Sequence, residues 1–254
     1  MYKIVFLVFL SHITFGQNRM FQFQNGNVLT VPNIDNQAVI TNGLVLNLDA
    51  GNTASYPGTG TTWTDLSGNG NNGTLITGVT YSSTNGGTMV FNGSSNNRVQ
   101  TNFAPTFVDF TVCVWFKDNG SPQYGRLIDK DFVNGFWLGR NSNTPNSWGG
   151  GIKEDGDPYG IYLTLADIQW HFIASVRSGT THTIYGDGVT NKVSNTVANT
   201  PLSSTSIAIG GWSGGGNPAQ ILKGNIPQVM LYNRALSEAE ILQIFNATKA
   251  KYGL

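Results

Sequence analysis

The sequence predicts an all-β protein: two antiparallel sheets packed as a sandwich, with one short α-helix at the C-terminus. Three observations carry that expectation. From Gly43 onward short β-type runs follow one another with no helical period between them. Asn-Gly occurs eight times and Asp-Gly twice, and these dipeptides tolerate the positive φ of tight turns between antiparallel strands. A complete helix-start signature appears in the last stretch of the chain.

The elements follow in order. Residues 1–16 place Lys3 before the apolar run Ile4 to Leu10 and end in small and polar residues at Gly16. That is the layout of a secretory signal peptide, and it is too short and too interrupted by Ser11 and His12 to span a membrane. The mature chain is therefore expected to begin at Gln17. Residues 17–42 are rich in Asn and Gln, with Phe21, Phe23, Val28, Leu29, Val31 and Ile34 as scattered apolar anchors. They read as an extended polar lead-in, either a linker or an arm that pairs with another subunit's sheet edge.

From residue 43 to 254 a single domain is expected. Its β-type runs include LVLNLD (44–49), TMVF (88–91), FTVCVWF (110–116), WHFIASV (170–176), SIAIG (206–210) and IPQVMLY (226–232). In FTVCVWF one face carries Phe110, Val112, Val114 and Phe116, the other Cys113 and Trp115. Both faces are apolar, so this strand is expected to be central and covered on both sides. Cys113 reads as a small buried hydrophobe. At the end, Ser237 is the N-cap, Glu240 completes a capping box, and Leu236 with Ile241 forms a hydrophobic staple. Ile241, Ile244, Phe245 and Thr248 make the stripe that docks on the sandwich.

Composition excludes several functions. The chain has 254 residues, 14 basic and 14 acidic, for a net charge of zero, which lacks the basic excess of a nucleic-acid binder. Only 11% of residues are charged, and its polarity comes from 28 Asn and other neutral groups. One cysteine excludes an internal disulfide framework. Glutamates occur only at 154, 238 and 240, and Glu154-Asp155-Gly156-Asp157-Pro158 is a loop, unlike the paired carboxylates of a glycosidase. His12, His171 and His182 have neither metal spacing nor a nucleophile elbow. Asp129-Lys130-Asp131 opens like a calcium loop but has Arg140 where the bidentate Glu belongs. In DLSGNGNNG (65–73), Asp65, Ser67, Asn69 and Asn71 place oxygens at alternate positions. They are either calcium ligands or caps of their own turns.

Several stretches together resemble the laminin-G-like, concanavalin A-like lectin/glucanase family. They are LVLNLDAGNTASYPGTGTTWTDLSGNGNNGTL (44–75), MVFNGSSNNRV (89–99), FTVCVWFK (110–117), WHFIASV (170–176) and KGNIPQVMLYNRALSEAEILQIFNATKAKYG (223–253). The resemblance implies a jelly roll and a role in binding or structure without catalysis. It places Trp115 and Trp170 in the core. Members often carry Asp-Glu, an acid associated with bound calcium, where this chain has Pro227-Gln228.

The expected function is a non-catalytic, extracellular or cell-surface module that binds a glycan or adheres to one. Neutral sugars are held by aromatic faces and neutral hydrogen-bonding groups, and rim loops carry them. The expected ligand-binding residues are Trp148, Trp212, Tyr159 and Tyr124, all in glycine- or turn-rich stretches. No cofactor is expected; the residues that would hold a calcium ion, were one bound, are Asp65, Asn69 and Asn71. The alternative is a structural subunit of a virion, surface filament or appendage, as a homo-oligomer or with other particle subunits.

Overall fold

The computed structural model describes residues 21–24, 27–30, 39–121, 124–131, 135–141, 144–152, 160–166, 168–214 and 220–254. The leader (1–16) and the cut before Gln17 lie outside the described residues, as does the 154–158 loop. The chain forms two units, 1–37 and 38–254. In the first, β1 (Phe21–Gln24) pairs antiparallel with β2 (Asn27–Thr30), so part of the expected lead-in is a hairpin and not a single extended segment. Val39 and Ile40 pack into a hydrophobic cluster of the second unit, which therefore starts a few residues before 43.

In chain order the sandwich strands open with β3 (Leu44–Asp49), β4 (Thr62–Trp63), β5 (Gly73–Ile76), β6 (Thr80–Ser82), β7 (Thr88–Asn92) and β8 (Arg98–Thr101). They continue with β9 (Phe110–Asp118), β10 (Arg126–Lys130), β11 (Phe136–Arg140), β12 (Ser147–Ile152), β13 (Ile161–Thr164) and β14 (Trp170–Ser178). Last come β15 (Thr181–Gly186), β16 (Asn191–Thr196), β17 (Ala208–Ile209) and β18 (Lys223–Tyr232), followed by α1 (Glu238–Thr248). The first sheet runs β16-β15-β14-β9-β18-β7-β6, with β3 also beside β18. The second runs β13-β12-β11-β10-β17-β8-β5-β4. Asp187-Gly188 supplies the turn between β15 and β16 with φ of +48° and +115°, a conformation that favours these residue types.

The main core lies between the sheets. Leu46, Leu48, Phe91, Phe110, Val112, Val114 and Phe116 from the first meet Trp63, Val99, Ile128, Leu138, Trp148 and Ile152 from the second. Strand β9 is central, as its two apolar faces require: Cys113 and Trp115 belong to a second cluster, on the far side of the sheet under α1. Burial pushes the Cys113 thiol up, so it stays protonated and inert.

The capping box forms: Glu240 N donates to Ser237 Oγ at 3.3 Å, and Ser237 N donates to Glu240 Oε2 at 2.8 Å. Leu236 and Ile241 are both buried, as the staple requires. Trp115 Nε1 donates to Thr248 Oγ1 at 2.8 Å, and its ring lies 4.4 Å from that of Tyr252. Trp115 thus anchors the helix, while Phe245 is only half-buried against it.

Pro227-Gln228 marks a break in the middle strand. Strand β18 pairs with β7 through residues 223–226 and with β3 through 228–232, and its register against β9 shifts between Asn225 and Gln228. Proline has no N–H to lose there, and its carbonyl accepts from Ala50 N at 2.8 Å.

Candidate functional site

Helix α1, its trailing 3-10 turn and residues 39–44 cover the outer face of the first sheet. Among the described residues no helix covers the outer face of the second, so that face holds the candidate site.

Register builds it. Gln100, Ala208, Asp129, Trp137 and Gly151 stand opposite one another in β8, β17, β10, β11 and β12. One row over, Arg126, Gly139, Gly149 and Tyr162 are aligned from β10 to β13. Arg126 and Asp129 share this face although they are three residues apart, because a bulge at Leu127 breaks the alternation. Leu127 and Ile128 both enter the core as a result.

The face is tightly built. The Arg126 guanidinium stacks on Trp137, 5.1 Å from the ring centroid. Trp137 in turn lies flat on Gly151, where a Cβ would meet the indole at 2.5 Å. Asp129 Oδ2 accepts from Ser213 N at 2.9 Å and from Ser213 Oγ at 2.7 Å. Ser213 Oγ also accepts from Asp131 N at 3.1 Å. The segment that carries Trp212 is therefore fastened to the end of β10. Burial lowers the Arg126 pKa and raises that of Asp129, and the charge of each partner works against both shifts.

Of the aromatics expected at the site, Trp212 lies beside this latch and is half-buried, and Tyr124 is 40% exposed just before β10. Tyr159 lies outside the described residues. Trp148 does not fit its expected role. It is a strand residue, 0% exposed, with its ring 4.6 Å from Phe116 in the main core. The glycines after it create that role: in Ser147–Ile152 the alternate residues Trp148, Gly150 and Ile152 point inward, and Gly149 and Gly151 leave the outer face free for other side chains. Arg126, Trp137 and Tyr162 were missed by the sequence reading, and Asp129 was weighed there only as the opening of a calcium-type loop. The period-two pattern of GFWLGR, with glycine flanking the outward Trp137, was the available signal.

The Asp65 loop is held by its own hydrogen bonds. Asp65 Oδ1 accepts from Asn47 N at 2.8 Å and Ser67 N at 2.9 Å; Oδ2 accepts from Ser67 Oγ at 2.7 Å and Asn71 N at 3.0 Å. Asn69 and Asn71 turn their amide nitrogens to the carbonyls of Leu44 and Val45. A carboxylate with four donors has no free lone pair for a metal, so this arrangement does not fit calcium. EDTA is expected to leave the melting temperature unchanged and added calcium to leave it where it was. A fall of several degrees that calcium reverses would restore the metal reading.

One nucleophile–base contact exists in the first sheet. Ser175 Oγ and His182 Nε2 are 2.9 Å apart, with His182 0% and Ser175 2% exposed. Also among the described residues, no helix is long and apolar enough to cross a membrane.

A sandwich with one face closed by a helix and the other carrying aromatic and hydrogen-bonding side chains defines a lectin-type architecture. A family model described as the concanavalin A-like lectin/glucanases superfamily matches residues 92–242, more than half of the chain, and the chain belongs to that superfamily. Among curated proteins no sequence matches it. Solved structures are similar in fold. The binding domain of Paraclostridial Mosquitocidal Protein 1 is 19% identical with a TM-score of 0.61, over 81% of this chain and 52% of that one. Trypanosoma rangeli sialidase in complex with the inhibitor DANA is 17% identical with a TM-score of 0.58, over 84% and 34%. Domain 4 of AbnA, a GH43 extracellular arabinanase from Geobacillus stearothermophilus in complex with arabinotriose, is 16% identical with a TM-score of 0.60, over 79% and 97%. The match thus spans about half, 52%, of the mosquitocidal protein's binding domain, and at such identities the likeness concerns the fold.

Proposed function

We propose that this chain is a non-catalytic glycan-binding module that acts outside the cell, with its ligand on the outer face of β10–β13. The observation that carries this is the placement, on the outer face of the second sheet, of the half-buried Tyr162, the buried Trp137 and the buried Arg126–Asp129 pair, with the half-buried Trp212 fastened alongside through Ser213. Aromatic faces and directional hydrogen-bonding groups are what neutral sugars require. That Domain 4 of AbnA was solved with arabinotriose supports the reading. Catalysis is not proposed, because Asp129 is tied to Ser213 and set against Arg126.

Titration against a panel of neutral polysaccharides tests it. Trp212→Ala and Tyr124→Ala are each expected to weaken binding about tenfold with little change in melting temperature. Affinity should hold between about 0.05 and 0.5 M salt, because stacking on a neutral sugar is not screened. Variants that lose stability while keeping affinity would make these aromatics packing residues.

A second reading is supported by the N-terminal hairpin. A two-stranded ribbon is marginally stable in water by itself, so β1 and β2 gain from joining another sheet edge. The chain would then be a subunit of a virion, surface filament or appendage. Light scattering on the full chain and on one lacking residues 1–38 distinguishes the two. Assembly of the full chain alone favours the subunit reading, and monomers in both cases remove it.

A further inference from the structure

One buried pair on this face has a geometry that stability does not explain. Arg126 Nε is buried and meets no hydrogen-bond acceptor. Asp129 Oδ1 faces it at 3.7 Å, beyond hydrogen-bond reach, while Oδ2 is engaged by Ser213. Two charges taken out of water are repaid only by close contact, and a guanidinium–carboxylate pair kept for stability closes to about 2.8 Å. Here the guanidinium is instead held against Trp137, 5.1 Å from the ring centroid. Gly139 opposite leaves the space for that pose, since a Cβ there would meet Arg126 Cδ at 3.3 Å.

We propose that Arg126 and Asp129 form a hydroxyl clamp, in which one sugar hydroxyl donates to Asp129 Oδ1 and accepts from Arg126 Nε. This rests on the glycan-binding reading and deepens it by naming the pair that reads the sugar. A hydroxyl is donor and acceptor at once, so a single oxygen completes both groups. A carboxylate or sulfate would face Asp129 and an amine would face Arg126, so the clamp takes a neutral sugar and rejects charged substituents. A site built around a hydroxyl also rejects the analogue that lacks it, because its own polar groups are left unpaired. Arg126 is 4% and Asp129 1% exposed in the free protein. The clamp requires the groups that cover this pair to give way as the hydroxyl enters, and Ser213, bonded to Asp129 Oδ2, is the neighbour nearest to hand.

The test titrates the full chain with arabinotriose, xylotriose, cellotriose and mannotriose, and then with the monodeoxy analogues of the tightest binder. For the wild type, loss of one particular hydroxyl is expected to cost about tenfold or more, the other deletions much less. Arg126→Lys, which keeps the charge but not Nε, and Asp129→Asn should bind the parent sugar about as weakly as the wild type binds that deoxy analogue. They should no longer distinguish the two sugars. Equal binding of all deoxy analogues by the wild type overturns the clamp and leaves glycan binding standing; it needs no variant to fold. A deoxy penalty that persists in Arg126→Lys also overturns it. If the wild type binds none of the four sugars at millimolar concentration, the glycan-binding reading fails and the clamp with it.

Discussion

Replacing Trp148 with alanine is expected to destabilise the fold by about 3–5 kcal/mol, the range for deleting a large aromatic from a core that cannot collapse around the gap. Its indole is fully buried and packs on Phe116, which sits on the central strand β9, so the cavity opens between the two sheets. Trp148→Phe should cost much less, because it keeps most of the apolar contact. In whatever fraction stays folded, sugar affinity should match the wild type. Denaturant melts of the three proteins with parallel titrations check this. A Trp148→Ala variant of wild-type stability and reduced affinity would return Trp148 to the binding site.

Acidification should bring a second large effect. His182 is buried without charge, and its pKa is lowered from 6.5 to about 3, chiefly by burial and further by the nearby Arg177, with the neighbouring Asn195 side chain acting the other way. Between those two values the unfolded chain binds a proton that the folded chain refuses. Stability therefore falls as pH drops through this window and is unaffected by this group above it. The gap from 6.5 to about 3 corresponds to about 5 kcal/mol once fully crossed. The carboxylates titrate in the same range, so the measurement is the difference between wild type and His182→Gln. The variant should lose stability much less steeply from pH 6.5 to 3. Parallel curves would mean that His182 charges in the folded state without penalty.

The architecture was readable because its determinants are local. Alternating apolar residues in β9, turn dipeptides such as Asp187-Gly188, and the Ser237–Glu240 capping box each act within a few residues. The candidate site was mostly hidden for the opposite reason. Trp148 was read as a loop residue because Gly149-Gly150-Gly151 looks like a turn; the demand that makes it a strand is Trp137 lying over Gly151 from the neighbouring strand. Arg126 and Asp129 share a face only through a bulge, which erases the two-residue period. Asp65 looked like a ligand by its spacing, and only the backbone of β3 revealed where its oxygens point. Each miss concerns a contact between strands far apart in sequence, where no periodicity reaches.

The divided pairing of β18 bears on how the chain is made. Until residues 223–232 leave the ribosome, the first sheet exists only in fragments: β9 with β14, β15 and β16, the β6–β7 ribbon, and β3 with no neighbour. One strand then joins all of them at once, through partners that lie more than a hundred residues earlier in the case of β9. Such distant closure folds slowly and leaves hydrophobic edges open for long intervals. During elongation the exposed edge is β9, a strand buried along nearly its whole length in the finished sandwich, and a nascent chain stalled before residue 223 offers that edge to any other unfinished copy.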